Sequence, residues 1–292
     1  MIEYLIGVDG GGTGTRVRLA RAGGQEIAQA QGGPSGLAHG IDKAWRAIGD
    51  AVAAAFASAG VEHPPLSLLA IGLGLAGVHN KEWAAQFVAA NPGYAALRLE
   101  TDGFTTLMGA HQGQPGAIVA IGTGSVGQVL LPDGEQHEVG GWGFPAGDEA
   151  SGGWMGLRAI NHIEQVLDGR KPHSPFAQQV IDACGGNRDA IQVWLGKATQ
   201  TAYASLAPIV VSHAASDATA RQILADAGSE VAVIARALDP AAELPLALCG
   251  GLGQALRAYL PPELLARTVA PHGDAASGAL RMIEQHIEKG VQ

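Results

Sequence analysis

The sequence predicts an α/β fold built from two duplicated halves that pack closely with a cleft between them. Three observations lead there. Short apolar runs that stop at glycine alternate with stretches of helical period. The order strand, glycine-rich turn, strand, tight turn, strand occurs twice. It opens the chain in "IGVDGGGTGTRVRLARAGGQEIAQAQGG" and returns in "GAIVAIGTGSVGQVLLPDGEQHEVGG". No low-complexity linker separates the copies.

Each element follows from local pattern. Residues 2–8 form an apolar strand that ends at Asp9 and three glycines. Two further strands follow, with a turn at Gly23 and Gly24. Residues 41–60 have helical periodicity and a closing glycine that fits a C-cap. "LSLLAIGLGLAG" reads as a buried strand, "KEWAAQFVAANPG" as a helix, and "LRLETD" as a strand ending at Asp102 before another helix. Residues 149–238 read as mostly helical, "LPLALCGGLG" as one more strand, and "DAASGALRMIEQHIEKG" as a closing helix. The expected domains are 1–113 and 114–273, with helix 274–289 returning to the first.

Composition removes several function classes. The net charge of −9 argues against a nucleic-acid partner, which needs a basic face. Any bound phosphate must then be held by backbone amides and a metal. Cys184 and Cys249 are the only cysteines, and their spacing gives neither a zinc site nor a disulfide framework. The start "MIEYLIGVDG" is too short and acidic for a signal peptide, and no long apolar run reads as a membrane span. A cytoplasmic protein is expected. Glycine accounts for 43 of 292 residues, which implies many tight turns or close approaches of backbone to ligand.

The glycine loops carry the chemistry. "GLGLAG" and "GTGSVG" both match the dinucleotide fingerprint by letters. The second runs into a strand, and the first lacks its acidic residue at the right distance, so a nicotinamide site is disfavoured. The Walker pattern is absent. "DGGGT" and "GTGS" instead sit between strands at corresponding places in the two halves. Amides in such turns make anion-binding concavities. Gly10, Gly11, Gly12, Thr13 and Thr15 in one loop, with Gly122, Thr123 and Gly124 in the other, are therefore candidates for ATP phosphates. Asp9 is the candidate for Mg2+. A third loop, Gly250, Gly251 and Gly253, is the candidate for adenosine.

Together these motifs resemble the superfamily of actin, hexokinases and heat-shock chaperone ATPases, whose halves are ribonuclease H-like. More narrowly, "IGVDGGGTGTR", "TDGFTTLMGAHQG", "GAIVAIGTGS", "VGGWGFPAGDEASGGWMGLRAI" and "CGGLG" resemble the BadF/BadG-type ATPase family and its N-acetylglucosamine and glucosamine kinases. The resemblance covers nearly the whole chain. It implies an ATP-dependent kinase acting on the 6-hydroxyl of one of those amino sugars, with Asp102 as catalytic base. It implies sugar contacts from Asp148, Gly141 and Trp142, with Ser125 beside them. It leaves a homodimer open.

Asp102 and Asp148 each precede a helix, so each could instead be a helix cap. Trp142 could be core packing. The histidines His39, His79 and His111 read as surface or capping residues, and Cys249 as buried packing. The family's usual asparagine, in a turn that touches the sugar, falls at Gly36 here, which leaves Ser35 or His39 to substitute. Two other functions remain: an activator ATPase with an iron–sulfur cluster, and a sugar-sensing ATP-binding protein without turnover. Closure of the halves on ATP and sugar is expected to exclude water.

Overall fold

A computed structural model describes residues 1–290. The chain divides into two compact units, Met1–Pro115 with the segment from Ala270 onward, and Gly116–Val269.

The first unit contains β1 (Tyr4–Gly10), β2 (Thr15–Arg21), β3 (Glu26–Gly32), α1 (Ile41–Ser58), β4 (Leu69–Leu75), α2 (Lys81–Ala89), β5 (Ala96–Glu100) and α3 (Asp102–Ala110). Its sheet runs β3-β2-β1-β4-β5. The first three strands form the expected antiparallel meander, while β4 and β5 lie parallel to β1. Helix α1 buries Ala44, Ile48, Ala51, Val52, Ala55 and Phe56, the apolar stripe that its period requires. They join Ile6, Val8, Val17, Leu19, Ile71 and Leu73 in one core. Gly60, at φ +65, follows the end of this helix as the expected left-handed residue.

The second unit contains β6 (Gly116–Ile121), β7 (Ser125–Leu130), β8 (Gln136–Gly140), α4 (Gly152–Leu167), α5 (Pro175–Ala183), α6 (Arg188–Leu195), α7 (Gln200–Ala204), α8 (Ala207–His213), α9 (Ala218–Leu238), β9 (Leu246–Cys249), α10 (Gly253–Leu256), α11 (Pro262–Ala266) and β10 (Thr268–Val269). Its sheet runs β10-β9-β6-β7-β8. With β6 in the place of β1, this is the order of the first sheet, including the antiparallel meander and the two parallel strands. The duplication read from the sequence is therefore a duplication of topology. Helices α4, α5, α8 and α9 bury their apolar faces with Val119 and Ile121 in one core.

Helix α12 (Ala275–Gly290) closes the chain and belongs to the first unit. It crosses β1 and β4 at very short range. A Cβ on Gly72 would overlap the carbonyl of Ala279, so a side chain there would push the helix off the sheet. Among the described residues, no helix is long and apolar enough to cross a membrane.

Candidate functional site

In the first unit, the loop after β1 folds on itself. The Gly11 amide donates to Gly14 O at 3.0 Å, and Gly11 O accepts from the amides of Ser35 and Gly36 at 3.1 and 3.0 Å. The Thr15 hydroxyl lies 2.5 Å from Gly33 O and 2.7 Å from Ser35 Oγ. Thr15 and Ser35 are both buried. Their hydroxyls brace the loop from beneath, while Gly12 and Thr13 are exposed at its crest. Gly36 is buried against the loop, and a Cβ there would come 3.3 Å from Gly11 C. A larger residue at Gly36 would press on the loop rather than stand clear of it. His39 is not merely a surface residue, because its Nε2 reaches Gly12 O at 3.3 Å.

Asp9 lies near the end of β1, directly opposite Arg16 in the hairpin register. Arg16 Nε sits 3.2 Å from Asp9 Oδ2. Burial pushes the Asp9 carboxyl above its ordinary range. Arg16 opposes that shift, while the charges of Asp102 and Asp274 add to it. Asp102 is exposed as the first residue of α3. It is not the cap: Thr101 fills that position, its Oγ1 accepting from the Phe104 amide at 3.1 Å. The hydroxyls of Thr105 and Thr106 donate to Asp102 O at 3.1 and 2.7 Å, which fixes the first turn of α3.

The second unit repeats the loop. The Gly122 amide donates to Gly124 O at 2.9 Å, as Gly11 does to Gly14. The first amides of α4 hold this loop in place: Gly152 donates to Gly122 O at 2.8 Å and Gly153 to Thr123 O at 3.1 Å. Thr123 is exposed, whereas Ser125 is buried and donates to Glu149 O at 2.6 Å. Asp148 is buried at φ +60. It is not the cap of α4 either, since Ser151 Oγ accepts from the Trp154 amide at 3.1 Å. Asp148 Oδ2 accepts instead from Gln200 Nε2 at 2.5 Å.

Trp142 stands on a turn whose glycines 140, 141 and 143 all have positive φ, and it is 86% exposed. It is therefore not core packing. The turn folds back toward Asp148, with the Gly147 amide donating to Gly143 O at 2.8 Å. The loop of Gly250, Gly251 and Gly253 abuts the end of β6, where the Leu252 amide donates to Ile121 O at 3.2 Å. Gly251 faces open space. Cys249 is buried, and burial pushes its thiol up to about 11. Cys184 behaves alike, so neither is a ready thiolate ligand for a cluster.

The donor set tests the expected magnesium ion. Among the described residues, no three acidic, histidine or cysteine side chains gather to cage a metal. The carboxylate at the first loop is Asp9; of the two carboxylates whose charges bear on it, Asp274 is held by Arg18, which leaves Asp102. That set suits an ion held by one or two carboxylates together with nucleotide phosphates.

Two contributors escaped the sequence reading. Arg16 could have been found by pairing the hairpin about its turn, which sets it opposite Asp9. Gln200 carries no such signal, since it stands 52 positions from Asp148 within a helical stretch.

The profile of the BadF/BadG/BcrA/BcrD ATPase family matches residues 6–280. A glucosamine kinase of Vibrio cholerae is 34% identical over 281 residues, covering 96% of this chain and 95% of that protein. An N-acetylmuramic acid/N-acetylglucosamine kinase of Clostridium acetobutylicum is 24% identical, covering 81% and 79%. A solved structure from Chromobacterium violaceum, assigned as an N-acetylglucosamine kinase, is 55% identical. It superposes with a TM-score of 0.93 over 97% of this chain and 99% of the other.

Proposed function

This chain belongs to the BadF/BadG/BcrA/BcrD ATPase family, and we propose that within it the protein is an ATP-dependent kinase for the 6-hydroxyl of glucosamine or N-acetylglucosamine. The observation that carries the proposal is the state of Asp102. Thr101 caps the helix, so the Asp102 carboxylate, exposed at the start of α3, accepts the adjacent Gly103 amide at 3.0 Å through Oδ1 and is not the N-cap, and its charge bears on Asp9. The similarity to sugar kinases supplies the substrate class.

Phosphoryl transfer asks for an oriented acceptor, neutralised charge and a base at the acceptor hydroxyl. In this assignment Asp102 takes the proton of the sugar 6-hydroxyl as the sugar oxygen bonds to the γ-phosphorus and the bond from that phosphorus to the bridging oxygen breaks, with ADP leaving. Asp9 would hold Mg2+ together with the nucleotide phosphates. When bound, the ion offsets charge on the transferring group. The exposed crests at Gly12–Thr13 and at Thr123 offer amides and hydroxyls to phosphate oxygens. Gly251 and its neighbours offer a flat backbone to adenosine. Asp148, Gly141 and Trp142 bind the sugar. The hydroxyls of Thr15, Ser35 and Ser125 take the supporting role that their burial gives them.

The test is ADP release from magnesium-ATP with glucosamine, N-acetylglucosamine, glucose or no sugar, for the native protein and Asp102→Asn. Turnover with one amino sugar that falls by about 10²–10⁴-fold in the variant is expected. Equal turnover in the variant would remove Asp102 from the role of base. Turnover with no sugar in the panel would remove the amino sugar as acceptor.

A further inference from the structure

Asp148 has one more neighbour than a sugar ligand needs. Gln200 Nε2 donates both to Asp148 Oδ2, at 2.5 Å, and to Thr123 O, at 3.3 Å. An amide NH2 has two hydrogens, and this one spends them on a candidate sugar ligand and on the candidate phosphate loop. The same carbonyl of Thr123 also accepts the Gly153 amide from α4. The packing is equally tight. A Cβ on Gly124 would come 2.7 Å from Asp148 Oδ2 and 3.1 Å from Gln200 Nε2. A Cβ on Gly153 would come 3.1 Å from Gln200 Cγ. The loop, the carboxylate and the amide thus form one continuous network inside the second unit.

We infer that Gln200 is a positioning residue that couples sugar recognition at Asp148 to nucleotide binding at the loop of Gly122–Gly124. The inference rests on the proposed sugar role of Asp148. Gln200 fixes Oδ2 and leaves Oδ1 to face a hydroxyl of the acceptor. Because the same amide holds Thr123 O, ordering of the loop by phosphate also orders the carboxylate. Each ligand then binds more tightly when the other is present, and the effect is reciprocal. Asp148 is held at φ +60, a conformation that a non-glycine residue keeps only when its surroundings fix it.

The test uses Gln200→Leu, which keeps the bulk and removes both donors, and Gln200→Glu, which keeps the shape and faces Asp148 with a second carboxylate. Asp148→Asn runs beside them, and thermal melting confirms folding of each. Sugar affinity is measured by calorimetry with and without ADP, alongside KM for sugar and for ATP. For both Gln200 variants, KM for sugar is expected to rise about 10- to 100-fold, the worth of one hydrogen bond to a charged group. The gain in sugar affinity given by ADP disappears, and KM for ATP at saturating sugar rises by the same factor, as reciprocity requires. Native sugar affinity and native coupling in both Gln200 variants, with sugar binding weakened in Asp148→Asn, would overturn the role of Gln200 alone. The absence of coupling in the native protein would also overturn it. Unchanged sugar affinity in Asp148→Asn would overturn the sugar role of Asp148, and the inference with it.

Discussion

Gly74→Ala should slow turnover without touching a ligand. Gly74 lies in β4 and faces Thr105 of α3. A Cβ there would overlap Thr105 Oγ1 and come 2.8 Å from Thr105 Cβ and Cγ2. Carbon atoms pack at about 3.5–4.0 Å, so Thr105 must retreat by close to an ångström. It has nowhere to go. Thr105 is fully buried and β-branched, and its carbonyl lies so close to Gly278 of α12 that a Cβ there would overlap it.

The strain is therefore relieved at the open end of α3, which carries Asp102. The Thr105 hydroxyl holds Asp102 O at 3.1 Å, so the two residues move together. A base misplaced by about 1 Å costs on the order of 10²-fold in rate. The overpacking itself costs about 1–3 kcal/mol. The assay pairs kcat and KM with urea denaturation. Expected are a 10²-fold loss in kcat, a nearly native KM for ATP and a lowered midpoint. Partial recovery follows in Gly74→Ala with Thr105→Ala, which removes two of the three clashing atoms. Gly72→Ala is the control: it presses on α12 instead, so it lowers stability and spares kcat. A folded Gly74→Ala protein with native kcat would refute the reasoning.

Three other perturbations follow from the same geometry. Asp9→Asn should abolish magnesium-dependent turnover yet raise the melting temperature of the ligand-free protein at pH 7. The folded state disfavours the charged carboxyl, so its cost is present at neutral pH, fades as pH falls through the raised folded-state value and is gone below the ordinary 3.8; a lower melting temperature at pH 7 would contradict this. Arg267→Ala should destabilise by about 3–5 kcal/mol in urea, because it strands the buried Asp239 carboxylate that Arg267 Nη1 contacts, and a loss under 1 kcal/mol would contradict it. Arg16→Ala should change the magnesium concentration needed for half-maximal turnover, since Arg16 competes for Asp9 at 3.2 Å; an unchanged requirement would show the pair to be incidental.

Much of the fold was legible because it rests on local signals. The meanders, the α1 stripe with its Gly60 terminus, and both glycine loops stand in the sequence as period and punctuation. Asp9 and Asp102 stand out as candidates in the sequence because each closes an apolar strand run. The alternative that Asp102 and Asp148 cap their helices fails by one and three residues. Aspartate, threonine and serine all cap well, and only three-dimensional geometry shows that Thr101 and Ser151 do so here. The duties of Thr15 and Ser35 were hidden for another reason. A hydroxyl in a phosphate loop can face the ligand or the loop, and the choice is made by a partner about 20 positions away. Gln200 depends on the packing of α7 against α4, a tertiary contact with no period or spacing to announce it.

The most direct measurement is phosphorus NMR of the product formed from magnesium-ATP and the preferred amino sugar. The account predicts a phosphomonoester split into a triplet by the two protons on carbon 6, formed about 10²–10⁴-fold more slowly with Asp102→Asn. Inorganic phosphate alone, or an ester coupled to a single proton as at carbons 1, 3 or 4, would contradict it.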